Sequence, residues 1–209
     1  MRRNNHVTQN EYLLNEGSTL MSTTTIQSHI TYANSAFIDA SGYKEEHLIG
    51  EPHNVIRHPD MPAEAFGDMW YTLQQGESWT GLVKNRRRNG DHYWVRANVT
   101  PVYQNDTLTG YISVRNIPER HEIDASEALY QRVRNNEIKG HRFYKGVLVR
   151  RGILSFLSIF KRLSTAKRVN YSVGITALLA LALPLLLPGG VIQAGGLALL
   201  FILLALFLN

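Results

Sequence analysis

The sequence predicts an α+β fold, with short helices packed to one side of an antiparallel sheet. Three observations carry that prediction. Capping and helix-stop residues punctuate the stretch up to Pro52, apolar residues then recur at helical spacing between Met61 and Gln75, and beyond Gly76 the period switches to two around an Asn-Gly pair.

The elements follow in order. Ser28 to Ala33 reads as a strand that runs into Asn34, a good N-cap for a short helix over Ser35 to Ser41 that Gly42 ends. Lys44 to Leu48 reads as another helical turn, stopped by Gly50 and Pro52. Phe66, Met69, Trp70 and Leu73 give Met61 to Gln75 an apolar helical stripe, and Gly76 closes it. Trp79 to Arg86 and Tyr93 to Val102 read as the arms of a hairpin joined by Arg87-Arg88-Asn89-Gly90-Asp91. In the second arm Tyr93, Val95, Ala97 and Val99 share one face, and His92, Trp94, Arg96 and Asn98 the other. Leu108 to Asn116 supplies a further strand after a turn at Gln104-Asn105-Asp106. Glu119 to Lys139 reads as a helix with a loose stripe of Ile123, Leu129 and Val133, and Phe143 to Val149 is strand-like or bent.

With 44 % hydrophobic and 19 % charged residues in 209, the chain is not of disordered composition. Its net charge of +5 is unevenly spread. Up to Gln131 acidic residues outnumber basic ones 16 to 11, from Arg132 to Arg168 basic outnumber acidic 11 to 1, and Val169 to Asn209 carries no charged residue. The absence of cysteine excludes disulfides, iron–sulfur clusters, thiolate zinc sites, a cysteine nucleophile and a flavin–cysteine photoadduct. Met1 to His6 and the polar residues after them do not read as a signal peptide, so the domain is expected in the cytoplasm.

Tyr171 to Leu187 and Val191 to Leu208 are apolar runs of 17 and 18 residues separated by Pro188-Gly189-Gly190. At about 1.5 Å per residue each reaches roughly 26 Å, close to a hydrocarbon core of about 30 Å. A transmembrane hairpin is the reading, with a single span kinked at Pro184 as the alternative. Lys161, Arg162, Lys167 and Arg168 hold the preceding side in the cytoplasm, which places the chain on the inner membrane. The basic run from Arg132 is then expected to meet anionic lipid rather than nucleic acid, with Gly152 to Phe160 lying along the bilayer surface. The expected organisation is an N-terminal cap over 1–17, a sensor-sized domain over 18–118, a basic helical connector over 119–168 and the hairpin over 169–209.

Arg57-His58-Pro59-Asp60 is the densest polar cluster. Pro59 biases His58 away from helix, so the turn either presents a cofactor grip or forms a helix cap with a surface ion pair. Trp79 and Tyr93 offer aromatic walls, and Asn34 and Asn85 are amides able to donate and accept. Trp70 with Phe66 and Met69 reads as plain core. No histidines fall at a zinc spacing, and neither a nucleophile elbow nor a Walker loop is present, so an enzyme is not expected.

Three phrases in order, "TYANSAFIDASGYKEEHLIGEPHNVIRHPDMP", "FGDMWYTLQQGESWTGLVKNRRRNGDHYWVRANVTPV" and "GYISVRNI", resemble a PAS domain over Ser18 to Pro118. Among PAS domains, "HNVIRHPDMP", "DMWYTL" and "NRRRNGDHYWVRAN", followed by the apolar hairpin, are similar to the aerotaxis receptor family. That resemblance implies a PAS fold, non-covalent FAD and the sensing of redox state or oxygen. It also implies a homo-oligomer at the membrane. Carried over by motif, it implies FAD contacts at Asn34, Arg57, His58, Asp60, Trp79, Asn85 and Tyr93, with Asn85 the first to reorient on reduction. Haem held by His53, His58 or His92 is the alternative, and a cofactor-free interaction module the other. Aerotaxis receptors continue into a HAMP segment and a signalling domain that this sequence lacks, so output is expected through such a domain or a partner.

Overall fold

In a computed structural model, which describes residues 6–151 and 169–174, five antiparallel strands build the central sheet. They are β1 (Leu20–Thr25), β2 (Ile30–Ala33), β3 (Trp79–Arg86), β4 (His92–Gln104) and β5 (Thr107–Asn116), in the spatial order β2-β1-β5-β4-β3. Two helices and two 3₁₀ turns lie between β2 and β3: α1 (Ser35–Ser41), turns at Glu45–His47 and His53–Ile56, and α2 (Ala63–Gln74). After β5 come α3 (Arg120–Arg134) and a small hairpin of β6 (His141–Tyr144) and β7 (Val147–Arg150).

Local chemistry accounts for most boundaries. Asn34 caps α1 through its side-chain oxygen, which accepts from the Phe37 N–H at 3.0 Å. Gly42 then stops the helix at φ 69°, a left-handed conformation that costs glycine nothing. The β4–β5 turn uses Asn105 and Asp106, both at positive φ, as a two-residue hairpin turn requires. β1 is the strand the sequence reading lacks. Its residues, LMSTTT, show no apolar alternation, because Ser22 rather than a hydrophobe faces inward beside Leu20. It nevertheless occupies an interior position, paired with both β2 and β5.

The short helices between β2 and β3 lie on one side of the sheet, as expected, and the connector helix lies on the other. α1 and α2 cover the inner face, on which Tyr93, Val95 and Ala97 are buried. α3 lies on the opposite face. There Trp94 stacks on Tyr130 with ring centroids 6.1 Å apart, and the Tyr130 hydroxyl donates to the Leu82 carbonyl. Trp94 is the physical reason: leaving so large an aromatic in water forfeits a large apolar area. α3 also ends at Arg134, earlier than the expected Lys139, because Asn136 adopts φ 56° and turns the chain. The connector does not leave the domain at once. Ile123, Tyr130, Phe143 and Val149 are all buried.

The chain divides into two units, Met1–Gly152 and Ile153–Asn209. Of the second, residues 169–174 are described, and they are helical. Beyond Gly174 the expected transmembrane hairpin lies outside the described residues, as does the expected membrane-side stretch over 152–160. Among the described residues no helix is long and apolar enough to cross a membrane.

Candidate functional site

A cavity of about 250 Å³ opens between the inner face of the sheet and the segment from Pro52 to Trp70. Strand alternation supplies its floor. β3 contributes Trp79, Val83 and Asn85, β4 contributes Ala97 and Val99, and β5 contributes Ser113 and Arg115. His53, Ile56, Arg57, Phe66, Met69 and Trp70 form the facing wall. The lining is apolar with a few convergent polar groups, which is the usual make-up of a small-molecule site.

Three of those polar groups are buried donors without a partner: Asn85 Nδ2, Ser113 Oγ and Arg115 Nη1. A buried donor left unsatisfied costs about 1–3 kcal/mol, so three around one cavity point to a ligand rich in acceptors. Arg115 is the strongest of them. Its Nη2 donates to Ser22 Oγ at 3.0 Å and to His53 Nε2 at 2.7 Å, and its guanidinium lies 4.8 Å over the Phe37 ring. Its hydrogen-bond partners are neutral groups, and burial lowers its pKa to about 10, so it stays cationic at neutral pH. Burial and the Arg115 charge together push His53 down to about 3. His53 is therefore a neutral imidazole whose Nε2 accepts from the guanidinium.

The sequence-predicted residues divide. Trp79, Asn85 and Arg57 line the cavity. The Arg57 guanidinium lies 4.2 Å over the Phe66 ring, and Arg57 bridges in antiparallel fashion to Asn85 on the β3 edge. Tyr93 shares the inner face but is fully buried behind the lining, its hydroxyl without a partner. Asn34 does not reach the cavity. Its oxygen accepts from Met21 N–H as well as Phe37 N–H, and its Nδ2 donates to the Thr19 carbonyl, so cap and strand pairing consume the amide.

His58 and Asp60 also lie away from the cavity. The chain crosses the β3 edge after Arg57, and the next residues sit on the α3 side. Asp60 accepts from Lys84 Nζ at 3.2 Å, and the same ammonium donates to Glu127 of α3 at 2.6 Å. His58 is fully buried, edge-on to His92 with centroids 5.7 Å apart, and its Nδ1 accepts from the Asp60 N–H. Burial lowers its pKa to about 4 and also lowers that of His92. These groups brace the loop that carries Arg57.

Of the three histidines weighed for haem, His53 lines the cavity. His58 and His92 are not among the cavity's lining residues, and His53 has its Nε2 committed to Arg115. Among the described residues no group of three metal-ligating side chains converges.

Sequence reasoning missed Ser113 and Arg115, read the wall residues Phe66, Met69 and Trp70 as plain core, and weighed His53 for metal and haem. A signal for two of them exists. In the β5 sequence TLTGYISVRN, the polar Ser113 and Arg115 fall on the same parity as Tyr111, and that parity faces inward while Ile112 and Val114 face out. Inverted alternation marks a polar pocket inside an otherwise apolar face.

Residues 30–115 match the family model described as the PAS fold. Over 152 residues the chain is 51 % identical to the aerotaxis receptor of Escherichia coli (strain K12), an alignment covering 73 % of this chain and 30 % of that protein. Over 125 residues it is 31 % identical to the nitrogen fixation regulatory protein of Klebsiella pneumoniae, covering 59 % and 24 %. The chain thus spans less than a third of the length of either relative. A solved light-oxygen-voltage domain aligns with 56 % of the chain at 20 % identity and a TM-score of 0.46.

Proposed function

We propose that this PAS-fold chain is a redox or oxygen sensor that holds FAD non-covalently in the cavity on the inner face of its sheet. The observation that carries the reading is the trio of unpartnered donors, Asn85 Nδ2, Ser113 Oγ and Arg115 Nη1, beside the indole of Trp79. An isoalloxazine ring offers acceptors along one edge (two carbonyls and two ring nitrogens) and a flat apolar face, so the residues present fit it. The similarity to an aerotaxis receptor supports the same reading. At about 250 Å³ the cavity is below the range of about 300–1,000 Å³ common for whole drug-sized ligands. It suits the ring, with the rest of the dinucleotide outside it and Arg57 placed for the pyrophosphate.

Bound FAD supplies reversible uptake of electrons at a potential set by its surroundings. The chain's part is to fix the ring and to respond. Asn85 can turn its amide to accept or donate as the demand of the ring edge changes, and the neutral His53 holds Arg115 in place. Anchoring of the chain in the inner membrane by the apolar runs after Tyr171, pairing with a second copy, and output through a partner or a further domain belong to the same proposal. A signalling rather than an enzymatic role belongs to the same proposal.

The test is the visible spectrum of the full chain, as purified and after incubation with FAD, before and after dithionite under nitrogen. The two bands of an oxidised flavin, bleached on reduction and released by acid as FAD, are the expected result. A Soret band, or no colour after incubation, overturns the flavin reading.

A further inference from the structure

The two-residue turn of the β6–β7 hairpin is tied to the cavity by one side chain. Tyr144 pairs with Val147, which leaves Lys145 and Gly146 as the loop, at φ 50° and 86°. The N–H groups of such a loop have no partner in their own ladder and converge as a small anion nest. Asp68, on α2, fills it: Oδ1 accepts from the Lys145 N–H at 2.9 Å and Oδ2 from the Gly146 N–H at 2.7 Å. The same Oδ2 accepts from the indole Nε1–H of Trp79 at 2.8 Å.

Packing leaves little slack around this carboxylate. The turn lies on the β3 backbone so closely that a Cβ at Gly146 would stand 1.7 Å from the Thr80 carbonyl oxygen. The Trp79 indole lies over Gly81, where a Cβ would meet the ring at 2.4 Å. Hairpin turn and indole thus flank the same short piece of β3, and the indole's other neighbour is the cavity. Resting on the flavin reading for the identity of the ligand, we propose that the Asp68 carboxylate is a latch that couples occupancy of the cavity, sensed at Trp79, to docking of the β6–β7 hairpin. A ligand packed against the indole holds its N–H on the Asp68 oxygen that also meets Gly146, so an occupied cavity and a docked hairpin favour each other. The hairpin is the last described element of the first unit, which ends at Gly152. Asp68 is a positioning residue in this scheme, since it lies outside the cavity lining.

Linkage makes the latch testable from its far end, because a hairpin that responds to the ligand must alter ligand affinity by the same factor. Two variants of the full chain are compared with wild type. Asp68→Asn keeps the size of the side chain but loses the charge that three N–H donors share. Gly146→Ala leaves the cavity intact and undocks the turn. With far-UV circular dichroism unchanged, each is expected to weaken FAD binding by about fivefold or more, the low end of typical coupling. The double variant should be no weaker than the stronger single one. Gly146→Ala within twofold of wild type, or independent effects in the double variant, overturns the latch. Wild-type chain that takes up no FAD defeats the flavin reading instead. The latch is then decided in ligand-free protein by the indole N–H resonance of Trp79, assigned with Trp79→Phe. Gly146→Ala is expected to move that resonance, and an unmoved one overturns the proposal.

Discussion

Arg115 shows how a single residue can be costly to the fold and useful to the site. A guanidinium buried among neutral partners has given up its hydration without gaining a counter-charge. Arg115→Met removes that cost, so the ligand-free chain should melt at an equal or higher temperature than wild type. The same change deletes a charged donor to the ligand, worth about 1.5–3 kcal/mol, and should weaken FAD binding roughly 10- to 100-fold. Calorimetry and a flavin titration on one preparation check both halves. A lower melting temperature with unchanged affinity would make Arg115 a structural residue.

At the scale of elements, the contrast between Asn34 and Asn85 is instructive. Both are amides beside a strand end, yet Asn34 is committed to Phe37, Met21 and Thr19, while Asn85 keeps a buried Nδ2 unpaired. Asn34→Ala deletes the α1 cap and two further bonds, so it should cost about 1–2 kcal/mol of stability. Folded Asn34→Ala protein should still bind FAD with wild-type affinity, because the residue does not line the cavity. Denaturant unfolding and a flavin titration separate these effects. Affinity that falls as far as for Arg115→Met would return Asn34 to the site. The opposite face of the sheet has a comparable division of labour, with Lys84 joining Asp60 in the loop to Glu127 on α3.

The molecule as a whole carries histidines that it holds neutral. Burial lowers His53 to about 3 and His58 to about 4, against about 6.5 in an unfolded chain. Below pH 6.5 the unfolded chain therefore binds protons that the folded chain refuses, and stability falls as pH drops. For His58 the loss runs down to about pH 4 and for His53 to about pH 3, at no more than about 1.4 kcal/mol per pH unit for each. Unfolding midpoints of the ligand-free chain at pH 7.5 and pH 5 should differ in that direction, and His58→Gln should shrink the difference. Equal midpoints would mean that the imidazoles are not shielded.

Local rules made much of this legible in residue order. The period-two arms around Asn89-Gly90, the Asn34 cap and the stop at Gly42 need only near neighbours to act, and each stands where those rules put it. Trp79, Asn85 and Arg57 could likewise be singled out, because aromatic, amide and guanidinium groups beside a strand carry recognisable chemistry. β1 was hidden, since Ser22 faces inward where a hydrophobe would have shown the alternation. The side of the β3 edge on which each member of Arg57-His58-Pro59-Asp60 falls depends on where a loop crosses a strand, and no local pattern records that crossing. The partners of Arg115 come from β1 and the His53 turn, and those of Asp68 from β3 and the β6–β7 hairpin. Such contacts form only when the chain closes on itself, which is why residue order determined the strands and caps while the tertiary structure decided which polar groups meet across the cavity.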